Sequence, residues 1–328
     1  MRSLRVLFCI AAVLGGVRLA TEDTLAAMRP QSRSQVPAPE ISSGTRLLVV
    51  APHPDDEVIA AAGLMQRVHE AGGAVHVVYL TDGDGYPEGV KREDGNRKLT
   101  YIDYRDYGRI RQKEARTALA ELGLDDRAAT FLSFPDSGLC KLIRTYWSER
   151  RSAYRSPFTR LDRPPESEWI VPDTEYRGED LTQELARLMA EFRPTEILVT
   201  RREDQHADHC AAWYFVADAL GDVRRVYPEL TPDVLTYVVH FNDWPFEDAG
   251  PSLAPPEGLG RASSWIRLPL TPAQMRAKRA ALKRYRTQQQ AMGWFLDAFV
   301  RSNEIFSRQS AAAAHVMLPL KRSPCCEQ

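Results

Sequence analysis

The sequence predicts an α/β fold: a doubly wound, mostly parallel sheet with helices on both faces. Three observations carry that expectation. Short continuous apolar runs recur along the chain, as expected for strands buried on both faces. Segments of helical composition alternate with them. The residues richest in chemistry fall directly after the apolar runs, where open parallel sheets bind their ligands.

The elements follow in order. Arg46 to Ala51 is a continuous apolar run and reads as the first strand. Asp56 to Glu70 has helical composition, with Val58, Ile59, Ala62, Met65 and Val68 at apolar positions. Gly72 and Gly73 stop it. Ala74 to Leu80 is a second strand, ending in Thr81-Asp82-Gly83. Arg109 to Leu122 forms a helix closed by Gly123, and Ala129 to Phe134 a strand ended by Pro135. Leu181 to Phe192 is helical, Glu196 to Thr200 a strand, and His206 to Leu220 a helix. Val234 to Phe241 reads as a further strand. Pro272 to Trp294 reads as one long helix with Lys and Arg on its exposed face.

Composition sets the outer limits. The 328 residues are 44% apolar and 27% charged, enough to bury a substantial core. Forty-three basic residues against forty-four acidic ones give a net charge of −1. That balance lacks the basic footprint of a nucleic-acid partner, so a small molecule is expected. Arg2 and Arg5 precede an apolar run from Val6 to Val17, the pattern of a secretory signal. The run is shorter than the roughly 20 residues a spanning helix needs. Arg18 makes a cleavage site at Ala20 a poor one, so an uncleaved anchor is the alternative and the one expected membrane contact. The expected organisation is a signal peptide or anchor over 1–27 and a linker rich in Pro, Ser and Gln over 28–44. A single catalytic domain over 45–300 follows, with an insertion at about 138–182, and then a tail over 301–328. Export to the periplasm or the extracellular space is implied. Five cysteines include no CxxC pair, which argues against a thiolate metal cluster. The adjacent Cys325 and Cys326 could form disulfides, with connectivity open.

Two clusters carry the chemistry. Pro52-His53-Pro54-Asp55-Asp56-Glu57 follows the first strand and places three carboxylates beside an imidazole. Such charge is costly unless a cation or proton compensates it. A bare acidic helix start would also contain carboxylates, because they complement the helix dipole. Asp204-Gln205-His206-Ala207-Asp208-His209 follows the fourth strand, with two histidines three apart on a helix start. Two His and one Asp would make a mononuclear site with an open fourth position, the catalytic arrangement for zinc.

These residues resemble the LmbE-like (PIG-L type) zinc-dependent de-N-acetylases. His53 to Glu57 looks like that family's HPDDE signature, and His206-Ala207-Asp208-His209 like its HPDH segment, with Ala in place of Pro. Thr81-Asp82-Gly83, Arg111-x-x-Glu114, Phe134-Pro135-Asp136 and Lys278-x-x-Ala281-Leu282-x-x-Tyr285-x-Thr287-Gln288 also fit, so the resemblance spans about Thr45 to Gln290. It implies a Rossmann-like fold and one zinc ion per chain, held by His53, Asp56 and His209. It implies Asp55 as general base and a protonated His206 that stabilises the oxyanion or protonates the leaving amine. Asp208 would hold His206 in one tautomer, as carboxylates commonly do. Arg111 would touch a sugar hydroxyl or a phosphate, or else form a surface pair with Glu114. Asp136 would touch sugar hydroxyls, or else serve as a turn residue after Pro135. Glu57 would back the metal ligands, or else be a helix-start acid. The implied substrate is an N-acetylglucosamine-type sugar or conjugate, including an anionic or envelope-associated glycan.

The insertion at 138–182 interleaves Lys141, Arg144, Arg150, Arg151, Arg155, Arg160 and Arg163 with Tyr146, Trp147, Tyr154 and Phe158. A lid stacking aromatic faces on sugar rings is one reading, and a solvated insertion without ligand role the other. Two other functional classes stand beside the hydrolase. A catalytically silent glycan-binding protein would bind sugar without releasing acetate. A magnesium-binding receiver or nucleotide module would leave His206 and His209 without a role, and no GxGxxG follows the first strand.

Overall fold

Strand β1 (Arg46–Ala51) sends Leu47, Val49 and Ala51 into one apolar layer and Leu48 and Val50 into another. This alternation is the consequence of a two-residue strand period with both faces covered. β1 pairs in parallel with β2 (Ala74–Thr81) on one side and with β4 (Glu196–Thr200) on the other. β3 (Ala129–Phe134) extends the sheet beyond β2, and β5 (Asp233–Tyr237) extends it beyond β4, both in parallel. Two antiparallel strands, β6 (Trp265–Pro269) and β7 (Asn303–Gln309), complete the order β3-β2-β1-β4-β5-β7-β6. The chain runs outward from β1 in one direction and resumes on its other side at β4. The crevice between β1 and β4 is therefore the switch point at which such sheets bind ligands. The computed structural model describes residues 36–309, apart from 96, 151, 248, 249, 262 and 263.

Helices cover both faces. Against one lie α1 (Asp56–Glu70), α3 (Tyr101–Glu121), α7 (Pro272–Leu282) and α8 (Arg286–Ala298), with α2 (Pro87–Asp94) beside α3 and α8. Against the other lie α4 (Leu139–Arg144), α5 (Gly178–Phe192) and α6 (Ala207–Val226). The α/β class and the mostly parallel sheet are as the sequence predicts.

Several boundaries differ for identifiable reasons. α3 starts at Tyr101 rather than Arg109, because Thr100 and Asp103 form a capping box. The strand expected over 234–241 ends at Tyr237, and the backbone amides of Val239 and His240 donate to the Asp204 carboxylate instead of a ladder. The expected single helix over 272–294 is two helices, broken where Tyr285 leaves helical geometry and buries its ring. The domain does not end at 300: Asn303–Gln309, expected in the tail, is β7, hydrogen-bonded between β5 and β6. Within the linker, Val36 and Ile41 pack against the core. The expected signal or anchor over 1–27, Cys9, Cys325 and Cys326 lie outside the described residues. Among the described residues no helix is long and apolar enough to cross a membrane. Cys140 and Cys210 are both disulfide-bonded.

α1 is interrupted at Ala61 (φ −139°, ψ 18°), which leaves backbone groups of two helix ends in the core. Lys278 and Glu304 satisfy them. Lys278 Nζ donates to Ile59 O at 2.8 Å, while the Glu304 carboxylate accepts from Gly63 N at 2.9 Å and Leu64 N at 3.0 Å. The two side chains pair with each other at 3.0 Å, both fully buried. Lys278 therefore does not lie on an exposed face, contrary to expectation. Removing one partner of such a pair leaves a buried charge and two amides unanswered. Glu304→Ala is expected to lower stability by about 3–5 kcal/mol in urea unfolding. A loss below about 1 kcal/mol would mean that the pair does not hold the broken helix together.

Candidate active site

The site begins in the turn that leaves β1. Thr81, at the end of β2, donates to Pro52 O from its amide at 3.1 Å and from Oγ1 at 3.0 Å, fixing where the turn starts. His53 N then donates to Asp56 Oδ2 at 2.9 Å. Asp55 sits at φ 130°, ψ −29°, a region that L-residues rarely occupy and that stores strain. Its amide donates to Glu57 Oε2 at 3.1 Å, and Glu57 in turn accepts a hydrogen bond from the Tyr285 hydroxyl. Burial pushes Glu57 up to about 8. Glu57 thus supports the strained turn from behind, as a fully buried side chain.

His53 Nδ1, Asp56 Oδ2 and His209 Nε2 converge in front of that turn. The two imidazole nitrogens are 3.2 Å apart, His53 Nδ1 is 3.3 Å from Asp56 Oδ2, and His209 Nε2 is 3.2 Å from the same oxygen. A tetrahedral site with bonds of about 2.0–2.1 Å has ligand–ligand edges of about 3.3–3.4 Å. The near-equilateral triangle matches one face of such a tetrahedron. The donor set, two imidazole nitrogens and one carboxylate oxygen, is one that a divalent transition metal accepts.

A shell of carboxylates orients the imidazoles. His209 Nδ1 faces Asp204 Oδ2 at 3.3 Å, which favours the proton on Nδ1 and leaves Nε2 its lone pair. His53 Nε2 faces Asp136 Oδ1 at 3.4 Å and Asp208 Oδ2 at 3.5 Å, which favours the proton on Nε2 and leaves Nδ1 its lone pair. Burial pulls His209 down, but Asp56 and Asp204 outweigh it and hold the ring up at about 9. His53 is likewise held well above the ordinary range, by Asp136, Asp208 and Asp56 against burial. A site that so favours a proton on each ring favours a cation for the same reason.

The carboxylates have further anchors. Asp136 accepts from Gly85 N at 2.7 Å, and Asp208 from Ser137 N at 2.6 Å and Leu139 N at 3.1 Å. Asp204 takes His206 N at 3.0 Å besides the two amides after β5. The expectation that Asp208 orients His206 is therefore corrected: its carboxylate faces His53. Asp136, expected to touch sugar, also stands behind His53.

Asp55 stands beside the triangle. Arg111 Nη2 lies 3.3 Å from Asp55 Oδ2 and also donates to Pro54 O, while Nη1 donates to Gly83 O at 2.9 Å. Burial raises Asp55 to about 7 against the pull of this guanidinium. Gly83, in the Thr-Asp-Gly turn, has φ 63°, and a Cβ there would lie 1.7 Å from Arg111 Nη1. Arg111 is thus neither a surface pair with Glu114 nor a free sugar contact, but a buried partner of Asp55. His206 lies edge-on to His53, ring centroids 4.8 Å apart. Burial and the neighbouring imidazoles push it well below the ordinary histidine range, which favours its neutral form over the protonated one expected.

Residues 48–220 match the family described as PIG-L: GlcNAc-PI de-N-acetylase. The chain belongs to the PIG-L family.

Over 197 residues this PIG-L protein is 30% identical to a 1D-myo-inositol 2-acetamido-2-deoxy-alpha-D-glucopyranoside deacetylase of Saccharopolyspora erythraea. The match covers 57% of this chain and 58% of the relative, so the chain spans just over half the length of that curated relative. Among solved structures, the zinc-inhibited form of teicoplanin deacetylase Orf2 is 20% identical, with a TM-score of 0.50 over 81% of this chain and 99% of that one. The 4-carboxy-2-hydroxymuconate hydratase GalB of Pseudomonas putida KT2440 is 16% identical, with a TM-score of 0.50 over 81% of this chain and 95% of that one. A deacetylase and a hydratase share the fold, so the fold by itself does not choose the reaction.

Among the described residues of this PIG-L protein, His53, Asp55, Asp56, Arg111, Asp136 and His206 line a single cavity, together with His240 and Gln288. Sequence reasoning missed Asp204 and His240. Asp204 leads the His206–His209 segment, so an acidic residue just ahead of paired histidines was the available signal. His240 is a lone histidine beyond β5 and carried none. Of the four aromatics in the lid reading of the insertion, three do not face the cavity, while Phe158 packs on Tyr104 beside Gly85. Tyr146, Trp147 and Tyr154 pack against the core, and none of the described residues of 138–182 lines the cavity. The C-terminal motif is a set of buried clasps: Thr287 donates to Glu114 and Gln288 to Tyr107, besides Tyr285 to Glu57.

Asp204→Ala is expected to weaken divalent metal binding by about 10–100-fold in a chelator-competition titration, because His209 loses its orienting partner. Unchanged affinity would contradict the assignment of Asp204 to that role.

Proposed function

We propose that the protein is a zinc-dependent de-N-acetylase that releases acetate from an N-acetylglucosamine-type sugar or conjugate. The observation that carries the reading is the triangle of His53 Nδ1, Asp56 Oδ2 and His209 Nε2 with the carboxylate of Asp55 beside it. Zinc fits the donor set, and three protein ligands leave one position for chemistry. Bound there, zinc supplies Lewis acidity and lowers the pKa of water from about 15.7 to about 7.

The chain's own residues divide the remaining work. Asp55, at about 7, is matched to accept a proton from water near neutral pH and to surrender it to the leaving amine. Arg111 holds Asp55 in place and keeps its ionised form accessible despite burial. His206, neutral and at the cavity wall, can donate a ring N–H to the acetamide oxygen as charge develops there. Asp136 and Asp208 keep His53 oriented throughout.

Two features support an exported enzyme: the Arg2–Val17 pattern in the sequence, and the disulfide-bonded Cys140 and Cys210, which suit an oxidising compartment. The arginine that lines the cavity is already paired with Asp55, which favours an uncharged sugar at the reacting end.

Zinc-loaded protein is expected to release acetate from N-acetylglucosaminides. Asp55→Asn should lower kcat by about 10²–10⁴-fold while zinc binding persists. Sugar binding with no acetate release from any glycoside would instead mark a silent binding protein.

A further inference from the structure

The cavity alone does not account for the surface around its mouth. Its volume is about 270 Å³, below the roughly 300–1,000 Å³ that enclose a larger ligand, so it suits one amino-sugar head group. Phe295 and Met292 form part of its wall, and the His240 ring stacks on Phe295 with centroids 5.2 Å apart and planes 9° apart. From Phe295 the aromatic surface continues outward to Phe246 at 5.9 Å and Trp294 at 6.0 Å, which lie 5.0 Å from each other. Phe246 is 40% exposed and Trp294 69% exposed. Large rings left in water beside a cavity are costly unless a ligand covers them.

We infer that Trp294, Phe246 and Phe295 form a shelf for a second, uncharged sugar ring, attached to the amino sugar whose acetyl group sits in the cavity. The inference rests on the de-N-acetylase reading and names its substrate class: an oligosaccharide rather than a single sugar or a lipid-linked one. Three observations select that occupant. The shelf is continuous with the cavity wall through Phe295, so whatever covers it is joined to the head group. The two segments that carry it, 241–247 and 291–298, contain Asn242, Asp243, Glu247 and Asp297 but no Lys or Arg, which disfavours an anionic aglycone. Carboxylates and an amide accept hydrogen bonds from sugar hydroxyls, while the C–H face of a pyranose packs on an aromatic ring. The shelf is also open to solvent, whereas an acyl chain gains most from an enclosed apolar channel.

The test compares acetate release by zinc-loaded protein from N-acetylglucosamine, its β-1,4-linked disaccharide and octyl N-acetylglucosaminide. The disaccharide is expected to be the best substrate by kcat/KM. Trp294→Ala should cut the disaccharide-to-monosaccharide ratio by about tenfold, the scale of one lost aromatic-face contact, and Phe246→Ala should cut it in the same direction. An unchanged ratio in both variants, or a preference for the octyl glycoside, would overturn the inference. Should the wild type release no acetate at all, the functional reading fails and the shelf is judged by tryptophan fluorescence during disaccharide titration. A shift seen in the wild type and lost in Trp294→Ala supports the shelf; no shift in the wild type overturns it.

Discussion

Two nitrogen lone pairs and a carboxylate oxygen, contributed by segments more than 150 residues apart in sequence, are held 3.2–3.3 Å from one another in a buried site. Atoms of that kind repel at such distances unless a proton or a cation lies between them, and neighbouring groups must fix them there at a cost in solvation. The rest of the structure can be understood as meeting that requirement. Asp204 fixes the far side of His209, and Asp136 and Asp208 fix the far side of His53. Each of these carboxylates is tied in turn to backbone amides of the loops that follow β2, β3 and β5. The crevice at the switch of strand order is where those loops meet.

A second set of buried polar groups joins the C-terminal helices to this frame. Glu57 supports the strained Asp55 turn and is itself held by Tyr285, while Glu114 and Tyr107 on α3 are held by Thr287 and Gln288. Lys278 and Glu304 close the break in α1, the helix that begins with Asp56 and Glu57. These contacts are individually modest, but they lie in a low-dielectric interior where an unanswered partner is expensive. They explain why residues some 230 positions from His53 belong to the same unit as the site.

Much of this was legible in the sequence because it rests on local chemistry. The His53–Glu57 and Asp204–His209 segments each sit at a strand end, and periodicity was enough to place the strands. What was not legible depends on side chains meeting across the fold. Asp208 and Asp136 were visible as candidates, yet only the packing of α4 against α6 and the loop after β3 turns both toward His53. Lys278 read as a surface lysine of a continuous helix, because nothing local announces that Glu304 lies opposite it. β7 was hidden for a similar reason: Asn303–Gln309 mixes polar and apolar residues and becomes a strand by insertion between β5 and β6.

The central claim is that the triangle is a metal site. Zinc-edge anomalous diffraction from crystals of the zinc-loaded protein tests it most directly. One strong peak within about 2.0–2.2 Å of His53 Nδ1, Asp56 Oδ2 and His209 Nε2 is the expected result. No peak there, or a peak held by other residues while these three atoms keep only each other, would contradict the account.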